Sequence, residues 1–184
     1  MFYKKHALIL GGAACVWDDA AEALTMFTPD IVIAVNDIGT VWPTTIHHWV
    51  SYHHDQLLRW VEKRKDASLE PAHQLWTGPA YPRGTVPSFM KSLPCYGGSS
   101  GFLAVTLSLE VEKCTKVILA GVPMDPMMPH FNMKMNGNPW VDGRNYQKHW
   151  EIQKHKLVDV RSMSGFTASL LGRPTKEWIY DGLQ

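Results

Sequence analysis

Between Lys116 and Gly121 the chain reads Val117-Ile118-Leu119-Ala120, with no polar residue in alternation. A half-exposed strand would alternate polar and apolar side chains, so this run belongs in a strand covered on both faces, as in the middle of a parallel sheet. Ala7-Leu8-Ile9-Leu10 after His6, and Ile31-Val32-Ile33-Ala34-Val35 after Asp30, have the same character. Further strands are expected over 46–52, 73–77 and 157–160. Between them lie segments of helical spacing at 17–27, 54–65, 101–113, 146–156 and 166–171. Strands alternating with helices predict an α/β fold, a doubly wound, mainly parallel, Rossmann-like sheet in a single domain spanning residues 1–184. That length suits one domain with a sizeable core.

In such sheets ligands gather at the carboxyl ends of the strands, so the turns there are the first candidates for a site. Gly11-Gly12-Ala13 follows the first strand, and Asn36-Asp37 ends the second. Tyr96-Gly97-Gly98-Ser99-Ser100-Gly101 opens the helix that leads to the strand at 116–120. Glycines there permit close backbone approach, and Ser99 or Ser100 can cap the helix. The free N–H groups of a helix start suit a phosphate or carboxylate. The same residues also suit a simple N-cap with tight helix packing. Strand, glycine turn, helix and strand over about 30 residues make a βαβ unit of nucleotide-binding type, although the third glycine of the dinucleotide fingerprint is missing.

Composition narrows the partners. With 18 basic and 17 acidic residues the net charge is +1, which provides no field to attract nucleic acid or an anionic membrane. No run reaches the roughly 18 apolar residues of a membrane span. Lys4-Lys5 before Ala7–Cys15 resembles a short export signal, but its apolar part runs directly into a helix and is expected to be the first strand. Cys15, Cys95 and Cys114 are odd in number and lack metal-ligand spacing, which favours reduced thiols and a cytoplasmic location. His47, His48, His53 and His54 flank the strand at 46–52, but alternation sends them to two faces, so no metal site is expected.

Two segments, 78–94 and 122–145, are rich in turn-forming residues. The second also carries Met124, Met127, Met128, Met133 and Met135, which suits an adaptable rim or lid, or equally a contact between copies of the chain.

In order along the chain, the strand before Gly11-Gly12-Ala13-Ala14-Cys15, the strand ending in Val35-Asn36, the motif YGGSSGFLAV and the motif KVILAGVPMD resemble the bacterial sialyltransferases of glycosyltransferase family 42. They are also similar to related uncharacterised and pterin-pyrophosphokinase-like proteins. The resemblance covers about residues 6–37 and 96–125. It implies that Gly11, Gly12 and Ala13 approach a nucleotide phosphate. Asn36, with Asp37 beside it, would contact the nucleotide or sugar, and Ser99, Ser100 and Gly101 would hold the donor. Asp125 stands two positions beyond the aspartate expected after Gly121, where this chain has Pro123, and the asparagine of a Gly-Asn-Gly turn is replaced by Gly12.

The function implied is a metal-independent sugar transferase that binds a nucleotide-activated sugar as substrate, with no tightly bound cofactor. A histidine beyond the strand would take the acceptor proton. His149 is the first choice, beside Tyr146 as a stabiliser of the leaving phosphate; His130 and His155 are the other histidines in range. His149 is more simply explained as a solvated helix residue. Two alternatives stay open: an Mg²⁺-dependent nucleotidyl or pyrophosphoryl transferase using Asp37 and Asp125, and a nucleotide-binding module without catalysis.

Overall fold

A computed structural model describes residues 4–79, 86–94, 99–132 and 143–181. It contains one seven-stranded parallel sheet in the order β5-β4-β3-β2-β1-β6-β7. The strands are β1 (His6–Leu10), β2 (Ile31–Val35), β3 (His48–Val50), β4 (Gln74–Thr77), β5 (Lys91–Ser92), β6 (Lys116–Ala120) and β7 (Val160–Ser162). Leu8 of β1 is in register with Val32 of β2 on one side and Ile118 of β6 on the other. The apolar runs are therefore neighbours at the centre, as their lack of polar alternation requires.

Alternate residues of these strands enter two separate cores. Ala7, Ile9, Ile33, Val35, Val117 and Leu119 pack with α3 (Ser100–Thr106), α4 (Gly143–Gln153) and α5 (Gly165–Leu171). Leu8, Leu10, Val32, Ala34, Ile118 and Ala120 pack with α1 (Val16–Leu24), α2 (His54–Asp66) and α6 (Lys176–Tyr180). Helices cover both faces, which is the doubly wound arrangement.

Several boundaries differ from expectation for local reasons. The strand expected over 46–52 is shorter, His48–Val50, with Ile46, His47 and Ser51 adding backbone hydrogen bonds at its ends. The one expected over 157–160 begins where that range ends, because a turn with Val160 N–H donating to Leu157 O (3.0 Å) occupies the preceding residues. Ser162 is fully buried in that strand, satisfied by Thr167 Oγ1 at 2.8 Å, a polar residue that apolar patterning passes over. The segment 78–94 contributes the two-residue edge strand β5, exposed and polar. The helix at 101–113 is α3 followed by a π-helical turn, Leu107–Val111. Within the expected rim, Met124 is buried in the core. Gly97, Gly98, Cys95 and the parts of the two irregular segments at 80–85 and 133–142 lie outside the described residues.

At the centre of the sheet, Gly121 has φ +67°, and a Cβ added to it would stand 2.5 Å from Val16 Cβ of α1. Gly121→Ala combines a left-handed backbone with overpacking, so a loss of roughly 2–4 kcal/mol is expected. Urea unfolding measures it; an unchanged midpoint would contradict this account of the helix-to-sheet contact.

Candidate functional site at the carboxyl ends of the strands

Strand order reverses at β1: β2 through β5 extend to one side and β6 and β7 to the other. The carboxyl ends of β1 and β6 therefore frame the switch point where doubly wound sheets hold ligands. Gly11 N–H still donates to Ala120 O (2.8 Å), and Ala13 N–H to Gly121 O (3.2 Å). The loop after β6 then folds back across the turn, with Ala14 N–H donating to Pro129 O (2.7 Å) and Phe131 N–H to Gly12 O (2.9 Å). A Cβ on Gly11 would lie 2.2 Å from Gly121 O, which explains a glycine at that position.

Over Gly12 stand an imidazole and a carboxylate. A Cβ on Gly12 would be 2.8 Å from His130 Nε2 and 3.6 Å from Asp37 Oδ1. His130 Nε2 and Asp37 Oδ1 are 3.2 Å apart, with the side chains 26% and 15% exposed. Asn132 N–H donates to His130 Nδ1 (3.0 Å), which puts the ring proton on Nε2, facing the carboxylate. Asp37 Oδ2 has no hydrogen-bond partner among the described residues. A short 3₁₀ helix, Asn36–Thr40, delivers Asp37. Asn36 begins it with φ 57°, and its side chain is held by the scaffold, Oδ1 accepting from Ser51 Oγ (2.8 Å).

The start of α3 closes the same end of the sheet. Ser99 caps it, Oγ accepting from Phe102 N–H (3.3 Å), and also contacts Met124 Sδ at 3.7 Å. Ser100 Oγ accepts from Tyr52 N–H (3.2 Å). A Cβ on Gly101 would touch Val122 Cγ1 at 3.0 Å. The contacts thus run in a ring: Gly12 to Asp37, Asn36 to Ser51, Tyr52 to Ser100, Ser99 to Met124, and Val122 back to Gly11. Gly11–Ala13, Asn36–Asp37 and Ser99–Gly101 converge although they are far apart in sequence. The amides of Ser100 and Gly101 have no acceptor among the described residues, as expected of a helix's first turn.

The remaining candidates have other roles in the geometry. His149 lies on α4 with its ring edge-on to Phe102 (4.7 Å between centroids), and its Nε2 is buried without a partner among the described residues. Burial, helped by Lys156, lowers its pKa and keeps it neutral. Tyr146 packs half-buried against the core that also contains α3, and Gln147 docks α4 by donating to Met124 O (2.8 Å). Asp125 Oδ1 accepts from Met127 N–H (2.9 Å), fixing its own turn.

Asp19 was not singled out in the sequence, yet it is buried behind the switch point. Its Oδ2 accepts from Gly121 N–H (2.8 Å) and Ser164 Oγ (2.7 Å), tying α1 to the ends of β6 and β7. Cys15 Sγ lies 3.3 Å from Ser164 Oγ, and burial pushes its thiol up to about 11, so it is a protonated packing residue. A signal for Asp19 existed: Val16, Asp19, Ala20 and Ala23 form one i, i+3, i+4, i+7 stripe, the inward face of α1.

The amino ends of the strands carry a cavity of about 340 Å³ lined by His47, His48, His73, Trp76, Lys91 and Glu112, among others. Its inner charges are mutually satisfied. Trp76 Nε1–H donates to His48 Nδ1 (3.1 Å), His48 Nε2 faces Glu112 Oε1 (2.9 Å), and Lys5 also bonds Glu112. Among the described residues no group of three or more His, Cys, Asp or Glu side chains could hold a metal ion.

Burial lowers the pKa of His48 despite Glu112, and burial also lowers those of His6, His47 and His149. The folded state therefore favours neutral imidazole, while the unfolded chain takes up protons near the ordinary value of 6.5. Stability from these groups is complete above that pH and is lost as pH falls below it. Burial raises the pKa of Glu112, but Lys5 and His48 outweigh it and leave the net value below 4.5, so a further loss is expected under that pH. Thermal melts from pH 8 to 5 check the first part; a Tm that holds or rises on acidification would contradict it.

No family model matches this chain, and no curated protein or solved structure matches it.

Proposed function

We propose that the protein binds a nucleotide-activated sugar in the crevice framed by Gly11–Ala13, Asn36–Asp37 and Ser99–Gly101, and transfers the sugar to an acceptor hydroxyl without a metal. The observation that carries this reading is the Asp37–His130 pair over Gly12 at the switch point, within the ring of contacts that includes the α3 start. A phosphate fits unpaired backbone N–H groups, and those of Ser100 and Gly101 have no protein acceptor among the described residues. The proton acceptor in this reading is Asp37 rather than His149. His149 Nε2 is enclosed against Phe102, and the His130 Nδ1 lone pair is engaged by Asn132 N–H. His130 orients the carboxylate through its Nε2–H, leaving Oδ2 for the substrate.

In the transfer step a bond forms between the acceptor oxygen and the anomeric carbon while the bond from that carbon to the donor phosphate breaks. The electron pair leaves with the nucleoside phosphate, whose charge faces the amides of Ser100 and Gly101. The acceptor proton passes to Asp37.

Calorimetry with nucleotide sugars and nucleoside phosphates, with and without Mg²⁺, tests binding. Asp37→Asn keeps the shape of the side chain, so it is expected to bind the donor within a few-fold of the parent while turnover falls by about 10²–10⁴. Absence of binding at millimolar concentration, or full turnover by Asp37→Asn, would contradict the proposal. Turnover that requires Mg²⁺ would instead favour nucleotidyl or pyrophosphoryl transfer.

A further inference from the structure

We infer that the stacked indoles of Trp17 and Trp42 form the subsite for the base of the nucleotide, and that this subsite recognises a flat ring rather than a pattern of hydrogen bonds. The inference rests on the nucleotide reading above and adds to it the half of the ligand that the crevice residues leave unassigned.

The two rings lie 5.8 Å apart at an interplanar angle of 14°. Trp42 is 6% exposed and belongs to the core, whereas Trp17 lies against it and is 42% exposed. Val41, beside Trp42, is also exposed. Trp17 is separated from the Gly11–Cys15 turn by Val16 alone and lies in the first turn of α1. Trp42 follows the 3₁₀ segment that starts with Asn36 and Asp37. The two segments that bring Gly12 up to Asp37 therefore also bring the two indoles together, at the same end of the sheet.

The platform is fixed before any ligand arrives. Arg64, buried on α2, donates through Nη1 to Gly39 O and Trp42 O (both 2.7 Å), and Trp42 N–H donates to Ile38 O (3.1 Å). Asp19 anchors α1, which carries Trp17, from the opposite side of that helix. A preset aromatic face loses little freedom when a base stacks on it. The two residues that precede Trp42 offer no free side-chain donor to a base edge. Val41 is apolar, and Thr40 Oγ1 already donates to Asp37 O (2.8 Å). A sugar ring would need hydrogen-bonding groups around the platform, so a base is the better occupant. Stacking tolerates any base because each has a π face.

The test is calorimetry on the full chain with the diphosphates of adenosine, guanosine, cytidine and uridine, with inorganic pyrophosphate and with free monosaccharides. The parent is compared with Trp17→Ala and Trp17→Phe. Melting curves establish that each variant is folded, and sedimentation establishes its oligomeric state. The four nucleotides are expected to bind within about tenfold of one another. Trp17→Ala is expected to weaken all four by roughly 5- to 150-fold, while Trp17→Phe retains most of the affinity and pyrophosphate binding does not change.

Equal nucleotide affinity in Trp17→Ala and the parent would overturn the inference. So would an equal loss for pyrophosphate, or a preference of more than a hundredfold for one base. Pyrophosphate binding as tight as that of the nucleotides would remove the base subsite and leave the phosphate crevice standing. If neither pyrophosphate nor any nucleotide binds, both readings fall. Monosaccharide binding that alone depends on Trp17 would make the platform a sugar site, and a dimer lost in Trp17→Ala would make it a contact between copies; either result overturns the inference.

Discussion

Gly11 and Gly121 meet where β1 and β6 begin to diverge, so closely that a single Cβ on Gly11 would stand 2.2 Å from the Gly121 carbonyl oxygen. The Gly121 amide is turned away from that contact and into the protein, where it donates to the buried carboxylate of Asp19. Asp19 also holds Ser164, at the start of α5. One charged side chain thus ties α1 to the exits of β6 and β7. A hydrogen bond to a charged group contributes about 1.5–3 kcal/mol, and a buried carboxylate stripped of its donors would cost at least as much. The loop over Gly12 depends on this junction. The junction sets the point at which the loop after β6 turns back over Gly12, and with that the position of His130 above Asp37.

The two ends of the sheet use polar groups differently. At the amino ends His48, Trp76, Glu112 and Lys5 are bonded to one another, and the arrangement fixes His48 as neutral imidazole. At the carboxyl ends the side chains are held by backbone and by one another, but acceptors and donors are left over: Asp37 Oδ2 and the amides of Ser100 and Gly101 among the described residues. Polar groups left unmatched within a concave region are costly unless water or a ligand meets them. The amino ends hold the cavity, where His48, Trp76, Glu112 and Lys5 are bonded to one another, whereas the carboxyl ends keep Asp37 Oδ2 and the amides of Ser100 and Gly101 available to a ligand.

Much of the fold was legible because its central strands are apolar without alternation, a pattern that only a doubly covered sheet explains. β1, β2 and β6 were read within their observed bounds. The edges were harder: β5 has two exposed polar residues, and β7 carries a buried serine whose partner, Thr167, lies on the next helix. The turns at Gly11–Ala13, Asn36–Asp37 and Ser99–Gly101 were legible as strand-end and helix-start residues, and their convergence follows from the topology. Pairwise chemistry was not legible. Nothing local says that His130 meets Asp37 while His149 turns its edge to Phe102, because each partner comes from a distant element. Asp19 was not singled out either, although its place among Val16, Ala20 and Ala23 marked it as facing inward.

An anionic nucleotide is proposed to bind at the carboxyl ends of the strands. The most direct measurement is an amide ¹H–¹⁵N titration with a nucleoside diphosphate. The account predicts saturable shifts at Gly12, Asp37, Ser100 and Gly101, with Gln74, Trp76 and Glu112 at the amino ends unmoved. Shifts concentrated at Gln74, Trp76 and Glu112, or no saturable shift at all, would contradict it.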